Sequence, residues 1–234
     1  MTVTQPTTAA DLTAVTVDLY RDIHKGIRTE LFAVTEQAGR LDPAEPAGRA
    51  DLAARVRSLV EQLQSHAEHE DTHVQPAIEA HLPEQAERIA SDHERIEARM
   101  VDLEALADAT VDETRAAQRL AVHRLYLELG SFTGAYLEHQ DVEERTVMPA
   151  LEAAIGPEAA LAIHQAIIAG IPPDEMARSL AIMLPAMNLE DRVELLGGMR
   201  AGAPAEVFEG VWGLAGSVLT APDHGALAAR LGIA

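Results

Sequence analysis

Two stretches of the chain carry one pattern of chemistry-bearing side chains. Residues 66–80 read HAEHEDTHVQPAIEA and residues 139–153 read HQDVEERTVMPALEA; they align without a gap and share seven of fifteen positions. Unrelated segments would share about one or two, so the two form an internal repeat. The shared pairs that carry chemistry are His66/Glu70 and His139/Glu143. Residues four apart lie one helical turn above each other on one face, so each pair can reach a common point. The repeat extends backwards: His24 precedes His66 by 42 residues and His93 precedes His139 by 46. The order is His, HxxxE, His, HxxxE, one element for each of four predicted helices.

Neutral imidazole suits iron, zinc and copper, and carboxylates suit harder cations. Four histidines and two glutamates are too many for one ion. Two ions sharing two bridging carboxylates fit the count. Six protein ligands leave two six-coordinate ions with open positions for a small exogenous ligand. Manganese or zinc accepts the same donors as iron. A single HxxxE pair on a helix is ordinarily structural; two pairs inside a repeat, each preceded by a histidine on the previous helix, point to metal.

Other residues lie near these positions. Glu97 stands one turn beyond His93 and is an additional candidate ligand. His69 and His73 stay within about 60° of His66 around the helix. They read as a polar rim or as extra ligands; their repeat partners, Val142 and Thr146, cannot replace them. Tyr20, one turn before His24, and Tyr136, three residues before His139, are expected to line the interior. His123 turns to another face and is expected at the surface.

The elements that must position these groups are helices. Aromatic residues are 3% of the 234, Ala, Leu, Glu and Arg abound, and apolar residues recur at spacings of three and four. The predicted helices run from about Thr16 to Arg40, Arg49 to Gln75, Pro83 to Ala107, Asp112 to Val147 and Pro157 to Gly170. Gly39–Gly48 is a predicted loop, Pro76 a kink or stop, and Pro149 lies just past the end of the fourth helix. After Pro172–Pro173 come short segments, Glu175–Ala186, Leu189–Arg200, Ala205–Leu219 and Gly225–Leu231, with Asn188 as an N-cap. The expected organisation is all-α, with residues 1–170 as an antiparallel up-down four-helix bundle and 171–234 as a small C-terminal helical module. Phe208 and Trp212 are expected to anchor that module to the bundle.

Composition excludes several classes. There is no cysteine, so disulfides, zinc fingers, cysteine-bound clusters and thiol nucleophiles are absent. The formal charge is −20, and Lys25 is the single lysine. That field repels phosphate backbones and anionic membrane surfaces, so neither nucleic acid nor membrane is expected as a partner. Met1–Ala10 has neither a basic stretch nor an apolar run, and no stretch approaches the ~20 apolar residues of a membrane span. A soluble, cytoplasmic protein is expected.

The order His24, His66-x3-Glu70, His93, His139-x3-Glu143, with Pro76 and Pro149 six residues after each glutamate, resembles the hemerythrin-like (HHE cation-binding) family over about residues 15–170. The resemblance implies a four-helix bundle around two non-haem iron ions, oxo- or hydroxo-bridged. It also implies His24, His66, His93 and His139 as terminal ligands and Glu70 and Glu143 as bridges. Oxygen-carrying members have HxxxH on the third helix and HxxxxD on the last. Here Glu97 stands four residues after His93, and Glu143 and Glu144 stand four and five after His139. The set of four histidines and two glutamates is more similar to bacterial repair-of-iron-centres proteins and to the iron-sensing domains of eukaryotic ubiquitin ligases. The function implied is binding or reduction of a small oxidant, namely oxygen, hydrogen peroxide or nitric oxide, under oxidative or nitrosative stress. The alternative is an iron or redox sensor, or a metal-dependent interaction module without turnover. Residues 171–234 favour it, because a gas-binding site needs no such appendage.

Overall fold

Helix-forming residues at helical spacing give helices throughout, and the described residues contain no strand. The structure, a computed structural model, describes residues 13–112 and 115–233. Met1–Ala10, read above for a targeting signal, lies outside the described residues. In order come α1 (Arg21–Arg40), α2 (Pro46–His73), α3 (Gln75–His81), α4 (Pro83–Asp112) and α5 (Arg115–Val142). A π-helical turn (Glu143–Val147) leads into α6 (Met148–Ile155) and α7 (Pro157–Gly170). Then follow α8 (Pro173–Ala186), α9 (Leu189–Gly202), α10 (Ala205–Val218) and α11 (Ala221–Leu231).

The backbone groups into two units. One takes Leu31–Gly170 with the segment up to Tyr20; the other takes Arg21–Glu30 and Ile171–Ala234. One helix, α1, therefore contributes its first half to one unit and its second half to the other.

In the first unit the apolar stripes become a core. Leu52, Val56, Leu59, Val60 and Leu63 of α2 are buried, as are Ile96, Met100 and Leu103 of α4 and Leu125, Leu129 and Phe132 of α5. Each such side chain contributes roughly 1.5–3 kcal/mol by leaving water. Polar contacts at the rim fix register. Arg49, near the start of α2, donates from Nε to the carbonyl of Thr110 near the end of α4 (2.8 Å). Arg99 of α4 pairs with Glu128 of α5. On α1, Gln37 accepts from Arg55 (3.1 Å) and Thr35 meets Thr133 of α5 (3.3 Å). The second half of α1 thus touches both α2 and α5, while α4 lies against both on the other side and runs antiparallel to α2.

Two boundaries differ from the sequence reading for a clear physical reason, and α4 also runs on to Asp112, past its expected end near Ala107; the break at Pro76 is the expected one. The first helix starts at Arg21 rather than Thr16. The Glu152 carboxylate accepts the amides of Thr16 (2.9 Å) and Val17 (2.7 Å), and Asp18 accepts that of Tyr20 (3.1 Å). This holds an irregular lead-in whose Val15, Val17 and Leu19 pack against a cluster with Tyr20, Ile78 and Leu151. Pro76 interrupts the second helix for one residue, Val74, after which α3 begins. Pro149 does not end the fourth helix. The chain widens into the π turn, where the Met148 amide bonds the Glu143 carbonyl, and runs on to Ile155. In both places proline removes an amide and crowds the carbonyl four residues back. No single helix among the described residues is long and apolar enough to cross a membrane.

The second unit has its own core of Leu180, Leu184, Leu196, Val211, Ala215, Leu219 and Leu227. Phe208 and Trp212 pack against this cluster, with the Trp212 ring 4.3 Å from that of His224. The first half of α1 is built in by charge and by close approach. Lys25 pairs with Asp191, and Arg21 with Glu194 (3.2 Å). A Cβ on Gly26 would stand 3.1 Å from the Ile182 side chain and 3.2 Å from its backbone, so glycine lets α1 and α8 meet closely. Asn188 caps α9, its Oδ1 accepting the amides of Glu190 (2.8 Å) and Asp191 (3.0 Å). Replacing Asn188 with Ala is expected to destabilise the second unit by about 0.5–2 kcal/mol, read as a lower urea midpoint; an unchanged midpoint would refute the cap.

Candidate metal centre

The repeat places its paired side chains where helices change character. His66 and Glu70 occupy the last two turns of α2, which ends at His73, three residues before Pro76. His139 lies on the last turn of α5, and Glu143 opens the π turn that Pro149 provokes. His93 comes from α4, whose antiparallel course carries it to the same level. Glu70, His93, His139 and Glu143 are 6%, 5%, 4% and 1% exposed, and one donor atom from each lies within 4.8 Å of the others.

The distances suit a cation among them. His139 Nε2 stands 3.2 Å from Glu143 Oε1. His93 Nε2 stands 3.5 Å from Glu70 Oε2 and 4.0 Å from Glu143 Oε1. With metal–donor bonds of about 2.1 Å, donors on one ion stand about 3.0 Å apart at a right angle and about 4.2 Å apart when opposed. The observed spacings fall between these limits. Nε2 of His93 is buried and makes no hydrogen bond among the described residues. Buried polar atoms normally have partners, so this nitrogen is suited to a ligand. The other oxygen of Glu70, Oε1, faces His66 Nε2 at 3.1 Å. Glu70 therefore presents one oxygen to His66 and the other to His93.

A family model for the hemerythrin HHE cation-binding domain matches residues 15–151. The chain belongs to that family. No curated protein and no solved structure matches it.

The electrostatics of this HHE domain follow from burying two carboxylates together. Burial favours the neutral form of His93, but the Glu70 and Asp71 carboxylates beside it outweigh this and raise its pKa to about 9. Burial likewise lowers His139, and Glu143 and Glu70 more than offset it, so the net shift is upward. The Tyr20 and Tyr136 phenols are pushed well above the ordinary tyrosine range, by burial first and then by the negative charge of both glutamates. Both phenols are buried, as the sequence suggested, and both remain protonated donors facing negative charge.

Beside Glu70, His93 and His139 is a cavity of about 10 Å³, walled by Leu63, Ile96, Met100 and Tyr136. Glu97 lies on its margin, is exposed, and stands outside the four-residue group. His69 and His73 also stand outside it. Their rings stack on each other 6.3 Å apart, and Gly170 closes on His73 so tightly that a Cβ there would sit 3.1 Å from Nε2. His24 is fully buried on α1, one turn after Tyr20. His123 is exposed, in a groove of about 610 Å³ lined by Gly39, Arg119 and Tyr126 that holds none of these residues.

Sequence reasoning missed two aspartates. Asp71 Oδ1 accepts from His93 Nδ1 at 2.8 Å, and Asp92 Oδ2 stands 3.9 Å from His139 Nδ1. Each is a sequence neighbour of a site residue, Asp71 following Glu70 and Asp92 preceding His93. That adjacency was the available signal, but each serves a histidine on another helix.

A cation bound through His93 at neutral pH would displace the proton of that ring. The apparent affinity should rise about tenfold per pH unit for each proton released, levelling off above pH about 9. Calorimetric titration in buffers of different ionisation enthalpy checks this; a buffer-independent heat would refute it. In the metal-free protein the same group stabilises the fold fully below its unfolded pKa of about 6.5, and that contribution disappears as pH rises through about 9.

Proposed function

We propose that this HHE domain holds two non-haem iron ions and binds or reduces a small oxidant: oxygen, hydrogen peroxide or nitric oxide. In this reading the second half of α1 joins α2, α4 and α5 as a four-helix bundle. Glu70 would bridge, with one oxygen toward His93 and the other toward His66, and His139 and Glu143 would complete the group. The observation that carries the reading is the split of Glu70 between His66 at 3.1 Å and His93 at 3.5 Å, one oxygen to each. His24 is the further ligand that the sequence order His, HxxxE, His, HxxxE implies.

Iron bound there supplies electrons and open coordination positions. The protein's own residues restrict what reaches them. The cavity of about 10 Å³ is the size of one water molecule, and its Leu63, Ile96 and Met100 walls offer nothing to a large polar substrate. Tyr136 lines the same cavity and keeps a proton at its Oη, so it can donate to a small ligand but cannot replace one as an anionic donor.

A second reading is a metal or redox sensor without turnover, and α1 favours it. The half of α1 that carries His24 is built into the C-terminal unit through the Lys25–Asp191 pair and the Gly26–Ile182 approach.

Iron reconstitution followed by metal analysis is the test. The expected result is two irons per chain, falling to one or none in His93→Ala and Glu143→Ala, with consumption of peroxide or nitric oxide by the loaded protein. A large metal-dependent rise in thermal midpoint without consumption would select the sensor. No retained iron and an unchanged midpoint would overturn both.

A further inference from the structure

Two aspartates outside the ligand set stand against the ligand histidines in a regular way. Asp71, on α2, accepts from Nδ1 of His93 on α4 at 2.8 Å. Asp92, on α4, faces Nδ1 of His139 on α5 at 3.9 Å. Each aspartate is adjacent in sequence to a site residue of its own helix and addresses the histidine of the next helix in the bundle. The bond to Asp71 engages Nδ1 and leaves Nε2 of His93 directed at Glu70 and Glu143. Asp92 is itself paired through Oδ1 with Arg95 at 2.7 Å, and its Oδ2 lies toward His139. The Nδ1 of His139 is buried and has no hydrogen-bond partner among the described residues. At 3.9 Å Asp92 acts on it through charge and not through a hydrogen bond.

We propose that Asp71 and Asp92 are positioning residues for the metal. Asp71 fixes the ring of His93 and the nitrogen it presents, and Asp92 supplies a weaker electrostatic counterpart for His139. The inference rests on the metal reading above. A carboxylate on the far nitrogen of a ligand histidine locks the ring orientation and makes the near nitrogen a better donor, and losing such a partner typically costs about 10–100-fold in affinity. Asp71 suits replacement because its side chain is 47% exposed and Asn keeps its size.

The experiment is titration of the metal-free protein with cobalt(II), read by its visible absorption and by competition with a chromophoric chelator, on the unaltered chain and on Asp71→Asn, Asp71→Glu and Asp92→Asn. The inference expects Asp71→Asn to weaken cobalt about 10–100-fold and to shift the visible band. Asp71→Glu should restore most of the affinity, and Asp92→Asn should weaken binding by less than Asp71→Asn. Unchanged affinity in Asp71→Asn would overturn the inference while leaving the metal site standing. So would weakened binding with an unchanged band, because that pattern reports lost stability and not an altered ligand. Absence of cobalt uptake by the unaltered chain would overturn the metal reading and the inference together.

Discussion

Two carboxylates buried side by side inside a helical bundle must be neutralised. Glu70 and Glu143 are 6% and 1% exposed, and removing an ion from water costs several kcal/mol unless an opposite charge meets it. The chain places His93 and His139 beside them. Without a metal, His93 takes the positive role and holds its proton to about pH 9. Imidazole suits this because it can later yield the proton and become a ligand, which an arginine cannot do. A proton on imidazole and a bound cation are alternative solutions to one electrostatic problem.

The backbone around the site serves the same end. Each HxxxE pair sits just ahead of a proline that interrupts regular helix, and the halves answer differently. The first breaks for one residue at Val74, whereas the second widens into the π turn that begins at Glu143. A gap-free repeat in sequence thus becomes an asymmetric pair in structure. Tyr20 and Tyr136 close the interior with phenols that remain protonated, so the bundle adds dipoles near the glutamates without adding negative charge.

Helix α1 is divided between the two units. Its second half contributes Leu31 and Val34 to the core of the first unit, and its first half carries Lys25 and Gly26 into the second.

The sequence by itself determined the helices, because spacing and propensity are local properties. It also determined the His and Glu pairs, because a gap-free repeat with four-residue spacing already implies one helix face each. The Asn188 cap and the buried tyrosines were legible for the same reason. Other features depended on partners far along the chain. Glu152 holds the amides of Thr16 and Val17 from 136 and 135 residues away, and so delays α1 to Arg21. Asp71 and Asp92 could be seen only as neighbours of candidate ligands, since the histidines they address lie on other helices, at positions that packing alone sets. The separation of Glu97, His69 and His73 from the four-residue group was likewise a matter of packing. Helical periodicity states which face a side chain occupies; which neighbouring helix meets that face, at what height and in what rotation, is decided only when the cores close.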